Sequence, residues 1–140
     1  MKRIALLAAL LFTSCQAPTG GWREDVKNSS KKIMSCPPTA SARTYGNEVR
    51  ITVKNHSSKA ISYWGRGKDR PMTCSERLVF MRWHDDEWDW CGTGTKQYVL
   101  QPGETVEFSQ IDVGDTRRVY TTFTSTDGKE EALVQLYSTE

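Results

Sequence analysis

EVRITVKNHSSKAISYWG, residues 48–65, decides the fold class. Val49, Ile51 and Val53 alternate with Arg50, Thr52 and Lys54, the period of two that buries one face of a strand and wets the other. Asn55-His56-Ser57-Ser58 interrupts the alternation as a turn, and AISYWG opens a second strand. The same grammar continues to the C-terminus. ERLVFMRW (76–83) reads as a strand apolar on both faces near its centre. KQYVL runs into Gln101-Pro102-Gly103-Glu104, where proline presets φ and glycine accepts a positive φ, as a type II turn requires. ETVEFS alternates through Val106 and Phe108, and RRVYTTFTS places Val119, Thr121 and Phe123 on one face. Thr126-Asp127-Gly128-Lys129 is a hairpin turn before the strand ALVQLYS. About seven short strands without a long amphipathic helix predict an all-β protein, a β-sandwich. The expected shared core is Val49, Ile51, Val53, Val106, Phe108, Val119, Phe123, Val134 and Leu136.

Three segments are expected. MKRIALLAALLFTSC (1–15) has two cations, then an unbroken apolar run from Ile4 to Phe12, then small residues. That is an export signal, too short to span a bilayer as a permanent helix. Residues 16–45 are rich in Pro, Ser, Gly, Thr and Lys and predict a flexible tether. Residues 46–140, about 95 in number, are one domain's worth of chain. Lys2 and Arg3 supply the whole excess of the chain's 19 bases over its 17 acids, so the processed chain is neutral. Nothing in that balance favours nucleic acid as a partner.

The ending LLFTSC resembles the lipobox of bacterial lipoproteins. The resemblance implies that Cys15 carries an acyl lipid such as palmitate and tethers the chain to a membrane. Gln16 after the cysteine resembles the proteobacterial signal for the outer membrane, facing the periplasm. VKNHSSKAISYWG, VLQPGETVEF and RRVYTTFTS together resemble the small immunoglobulin-like domains of bacterial exported proteins, over roughly residues 47–138. That resemblance implies the fold and says little about function. The Asn-led turn and the Pro-Gly turn are also similar to those of the bacterial intracellular proteinase inhibitor family, which would imply an inhibitory role.

With Cys15 assigned to lipid, Cys36, Cys74 and Cys91 remain in an oxidising compartment, where pairing is the default. Three single bridges are possible. Cys74 and Cys91 bracket ERLVFMRWHDDEWDW, and a bridge closing a loop of that size stabilises by roughly 3 kcal/mol. The expected disulfide is therefore Cys74–Cys91, with Cys36 in the tether.

WHDDEWDWCGTG (83–94) concentrates the candidate chemistry. HDDE reads as a polar turn between Trp83 and Trp88, and its acids are expected to be solvated, because consecutive residues of an extended chain point to opposite faces. Asp85, Asp86, Glu87 and Asp89 offer oxygens to calcium but lack the spacing of a calcium loop. Cys36, Cys74, Cys91 and His84 are zinc-ligand types without a C-x-x-C pair. A cysteine nucleophile with His84 as base would be silenced by a bridge. Paired acids beside tryptophans suit glycoside hydrolysis, although a domain this small leaves little room for a cleft. No G-x-S-x-G elbow supports a triad built on His84 or His56. No cofactor, metal or catalytic residue is expected.

The expectation is thus a non-catalytic, lipid-anchored envelope module that binds a protein or a glycan through Trp83, Asp85, Asp86, Glu87 and Trp88, since interface hot spots favour tryptophan. The alternatives are an inhibitor or immunity protein blocking a secreted hydrolase, and a small metal-dependent enzyme.

Overall fold

A computed structural model describes residues 29–88, 94–112 and 114–139. They form eleven strands in two sheets. β1 (Lys32–Ile33) is short and β2 (Thr39–Tyr45) long, followed by β3 (Glu48–Lys54), β4 (Ile61–Gly67) and β5 (Arg70–Pro71). β6 (Cys74–Val79) and β7 (Arg82–Trp88) come next, then β8 (Lys96–Leu100), β9 (Thr105–Ile111), β10 (Arg117–Ser125) and β11 (Glu130–Ser138).

The smaller sheet has the order β2-β3-β9. In the larger sheet β11, β10, β4 and β8 are consecutive neighbours, with β1 beside β11 and β5 beside β4. Seven strands carry the frame, and in chain order the first, second and fifth face the seventh, sixth, third and fourth. This is an immunoglobulin-like β-sandwich in which the fourth strand, β8, pairs with the third instead of joining the first sheet. The other four strands exceed the expected number. They comprise the short β1 and β5 and the hairpin β6–β7, inserted between the third and fourth frame strands.

All nine residues expected in the core are buried in one cluster, joined by Met34, Ile61, Tyr63, Leu100, Ala132 and Tyr137. Alternation produces this directly: Val49, Ile51 and Val53 lie in register with Gln110, Phe108 and Val106 across the β3–β9 pair. The ring of Tyr63 meets Phe108 edge-on at 5.2 Å and Phe123 at 5.6 Å, which ties the sheets together at the centre. Its hydroxyl donates to the Lys68 carbonyl at 2.6 Å. Burial pushes the Tyr63 phenol up to about 12. A phenol whose pKa is raised by folding contributes stability that is complete below its unfolded value near 10 and is lost as pH rises toward 12. In urea titrations, Tyr63→Phe should flatten part of the wild-type decline between those values. An identical alkaline decline in both proteins would show that Tyr63 is not linked to folding.

Two expectations change here. The tether does not extend to residue 45, because β2 pairs with β3 along its whole length, from Thr39 opposite Lys54 to Tyr45 opposite Glu48. Met34 is in the core and β1 adds to β11 in parallel. Polar composition misled because β2 is an edge strand whose exposed side chains bury almost nothing, so its backbone hydrogen bonds hold it there. ERLVFMRW is not one strand either. It is a hairpin, with β6 and β7 in register and Val79 opposite Arg82 across the turn Phe80-Met81.

β10 makes the hairpin possible by changing neighbours along its length. Its last residues, Thr124 and Ser125, pair with Ser62 and Ile61 of β4, while Arg117 to Tyr120 pair with Arg77 to Cys74 of β6. Between them the Thr121 hydroxyl donates to the Met72 carbonyl at 2.6 Å, filling the step from one partner to the next. Gly65 permits the tight return of β4 into β5, since a Cβ there would lie 2.6 Å from the Arg70 carbonyl oxygen.

Candidate functional site

The hairpin β6–β7 projects past the start of β10. Its turn is two residues long, and both have positive φ, 48° at Phe80 and 63° at Met81. Two-residue hairpins favour this twist, but they normally fill it with Asn-Gly. A bulky side chain in the left-handed region costs roughly 1–2 kcal/mol per residue. The same two side chains are the most exposed large apolar groups of the described chain, 96% for Phe80 and 89% for Met81. Arg82 beside them is exposed too. A strained, fully exposed apolar tip is therefore held out in water.

The base of the hairpin is braced on both faces. On the outer face, the Arg118 guanidinium lies 3.9 Å from the centroid of the Trp83 ring. The Tyr120 hydroxyl donates to Glu76 Oε2 at 3.1 Å in a buried setting, and Cys74 packs with Tyr120 and Leu133. On the opposite face, Asp86 Oδ1 sits 3.5 Å from Arg77 Nε and its Oδ2 3.4 Å from the Arg117 guanidinium. Arg117 also reaches Asp115 at 3.5 Å. Asp86 and Arg117 are largely covered, so their pair is screened less than a surface bridge, whereas Arg77 and Asp115 are exposed. Asp86 shares the face of His84, which stands opposite Arg77, and it is the extra residue of a β-bulge: Ser75 pairs with Glu87 and Glu76 with Asp85, which leaves Asp86 unopposed.

The structure locates the sequence candidates as follows. HDDE is not a turn; it lies inside β7. Asp86 is ion-paired rather than solvated, a correction that follows from the bulge and from arginines distant in sequence. Asp85 stands exposed opposite Glu76, and Trp83 lies beneath Arg118. The backbones of Glu87 and Trp88 pair with Ser75 and Cys74. Cys74 is buried, its Sγ 3.7 Å from the Tyr120 carbonyl oxygen, and its expected bridge partner Cys91 lies outside the described residues, as does Cys15. Cys36 is exposed between β1 and β2. His84 sits opposite Arg77, on the face of the hairpin away from Cys74, so these two do not form a nucleophile–base pair.

Sequence reasoning missed the residues that define the projection: Phe80, Met81, Arg77, Arg117 and Arg118. The run Leu78-Val79-Phe80-Met81 carries no turn residue, and the arginines acquire roles only through pairing with β10. One signal was present, because four consecutive apolar residues are too many for a strand with one wet face.

The tip also has a defined position relative to the chain's entry. β1 joins β11 at Glu130 and Glu131, the end of the sheet opposite to Arg117. From Thr124, which pairs with Glu131, to Phe80 is about ten residue steps, roughly 33 Å at strand rise. No known family model matches this chain, and no curated protein does.

Proposed function

We propose that this protein is a non-catalytic, lipid-anchored envelope module that binds a partner protein through the tip of the β6–β7 hairpin. The observation that carries the reading is the strained and exposed pair Phe80-Met81. Backbone strain persists where the surroundings over-determine it, and it clusters at functional elements. The braces at Trp83, Asp86 and Glu76 pre-organise the projection, which lowers the ordering cost of binding. Phenylalanine and methionine are apolar groups suited to the desolvated centre of an interface. The exposed Arg82 beside them suits an apolar cleft rimmed by carboxylates. The described chain enters at the far end of the sandwich, so an anchor at Cys15 does not hold the tip against the membrane. The same wedge suits an inhibitor of an envelope hydrolase, in which case the captured partner is an enzyme that loses activity when bound.

The test is the double substitution Phe80→Asn/Met81→Gly, which supplies the residues that a type I′ turn prefers. The free protein should gain about 1–2 kcal/mol in urea unfolding as the left-handed strain is relieved. Photo-crosslinking to envelope proteins should at the same time fall at least about tenfold, as expected for losing a hot spot. Undiminished crosslinking to the same proteins would remove the tip from the interface. Cys15→Ser should release the chain from membranes, and its retention there would refute the anchor while leaving the hairpin result standing.

A further inference from the structure

The outer face of the three-stranded sheet carries a second arrangement that packing does not explain. Ser41, Arg43 and Tyr45 of β2 stand opposite Thr52, Arg50 and Glu48 of β3, and β9 continues two of these rungs with Glu107 beside Thr52 and Ser109 beside Arg50. Like charges directly opposite across a strand pair repel. Arg50 is compensated: its Nε is 3.5 Å from Glu48 Oε1, and its Cζ lies 5.2 Å from the centroid of the Tyr45 ring. Ser109 donates to the same Glu48 oxygen at 3.0 Å, and these contacts hold the Glu48 carboxyl below its ordinary pKa. Arg43 makes no ion pair or hydrogen bond with any described residue. Ser41, Arg43, Tyr45, Arg50, Thr52 and Glu107 together line a shallow concavity of about 270 Å³.

We propose that this concavity binds an acidic saccharide, with the sugar's carboxylate received by Arg43 and Arg50. Guanidinium groups match a carboxylate in planar, charge-assisted hydrogen bonds, and a ligand anion removes the repulsion between the two cations. Glu107 has no hydrogen in its ionised form and can only accept, so it repels a bare anion and takes a hydroxyl donor. Ser41 and Thr52 donate and accept, matching further sugar hydroxyls. The exposed Tyr45 ring offers an apolar surface to the C–H face of a sugar. The volume falls just below the roughly 300–1,000 Å³ of pockets for drug-sized ligands, which suits a single sugar unit. This face belongs to the sheet that does not carry the hairpin, so the site is independent of the partner interface.

The full-length ¹⁵N-labelled chain in a neutral detergent, titrated separately with glucuronic acid, glucose and sodium phosphate at constant pH and ionic strength, tests the proposal. Glucuronic acid should give saturable shifts of backbone amides at residues 41–52 and 105–109. Glucose and phosphate should each bind about tenfold or more weakly, the factor expected from losing a hydrogen bond to a charged group. Arg43→Gln should weaken glucuronic acid by a similar factor and leave distant amides unmoved, because its side chain is exposed and supports no packing. Equal binding of glucose overturns the role of the arginines, and equal binding of phosphate overturns the saccharide. Shifts mapping to other residues, or no saturable shift, overturn the site.

Discussion

Phe108→Ala is expected to destabilise the domain by about 3–5 kcal/mol, a large share of the roughly 5–15 kcal/mol that holds a native domain together. Phe108 is 0% exposed, sits on β9 opposite Ile51 and packs in a T-shaped pair with the Tyr63 ring, centroids 5.2 Å apart. Truncation removes the buried apolar area of the ring and leaves a cavity between two sheets. Neither sheet can collapse into that space without breaking its own ladder, so the cavity term is retained nearly in full. Urea unfolding measures the loss as a lower midpoint with an unchanged slope. A change below about 1 kcal/mol would be the response of a surface position and would contradict the β3–β9 register.

Asn55→Asp is the second large effect, expected at about 3–5 kcal/mol at neutral pH, the cost of an uncompensated buried charge. Asn55 is fully buried at the end of β3. Its side-chain amide donates to the carbonyls of Lys59 at 2.9 Å and Leu100 at 3.1 Å, while its Oδ1 accepts from the Ser57 amide and hydroxyl. Its backbone bonds the turn before β9 as well, accepting from Gly103 and donating to Glu104. The loop between the sheets thus hangs on one residue. A carboxylate has the same shape but donates nothing, and it would face two carbonyl oxygens across hydrogen-bond distance. Burial raises its folded pKa above the unfolded value near 3.9, so the variant regains stability as pH falls through the folded value, and the deficit is complete only above it. A deficit that is small at pH 7, or that grows on acidification, would refute the donor role of Asn55.

How much of this was legible in advance depended on whether neighbours in sequence or neighbours in space set each residue's fate. Val49, Ile51, Val53, Val106 and Phe108 declared themselves through alternation, because strand geometry alone sends every second side chain to one face. The turn at Gln101–Glu104 was equally local: Gly103 has φ 74° and the Glu104 amide donates to the Gln101 carbonyl at 3.0 Å. Asn55 was legible only as a turn residue. Its burial arises from Leu100, which lies 45 positions away.

The candidate site was the least legible part. WHDDEWDW drew attention by its composition, yet the feature that projects is Phe80-Met81, inside a run that looked like an ordinary buried strand. A two-residue turn without glycine or asparagine leaves no local mark. It is imposed by cross-strand pairing, here by β6 zipping onto β10 while β7 folds back on β6. Asp86 likewise seemed one of a row of solvated acids until a bulge and two arginines, one of them 31 residues downstream, gave it partners.

From its sequence alone, then, this chain determined an all-β sandwich, nine residues of its core and the turns at Asn55–Ser58, Gln101–Glu104 and Thr126–Lys129, because period-two burial and turn chemistry act within a few residues. Tertiary structure alone decided that residues 32–45 join the sheets, that a hairpin enters the larger sheet by sharing β10, and which apolar residues stay in water. Each of those outcomes is a pairing of backbone edges, and an edge hydrogen bond carries no side-chain signature that could be read along the chain.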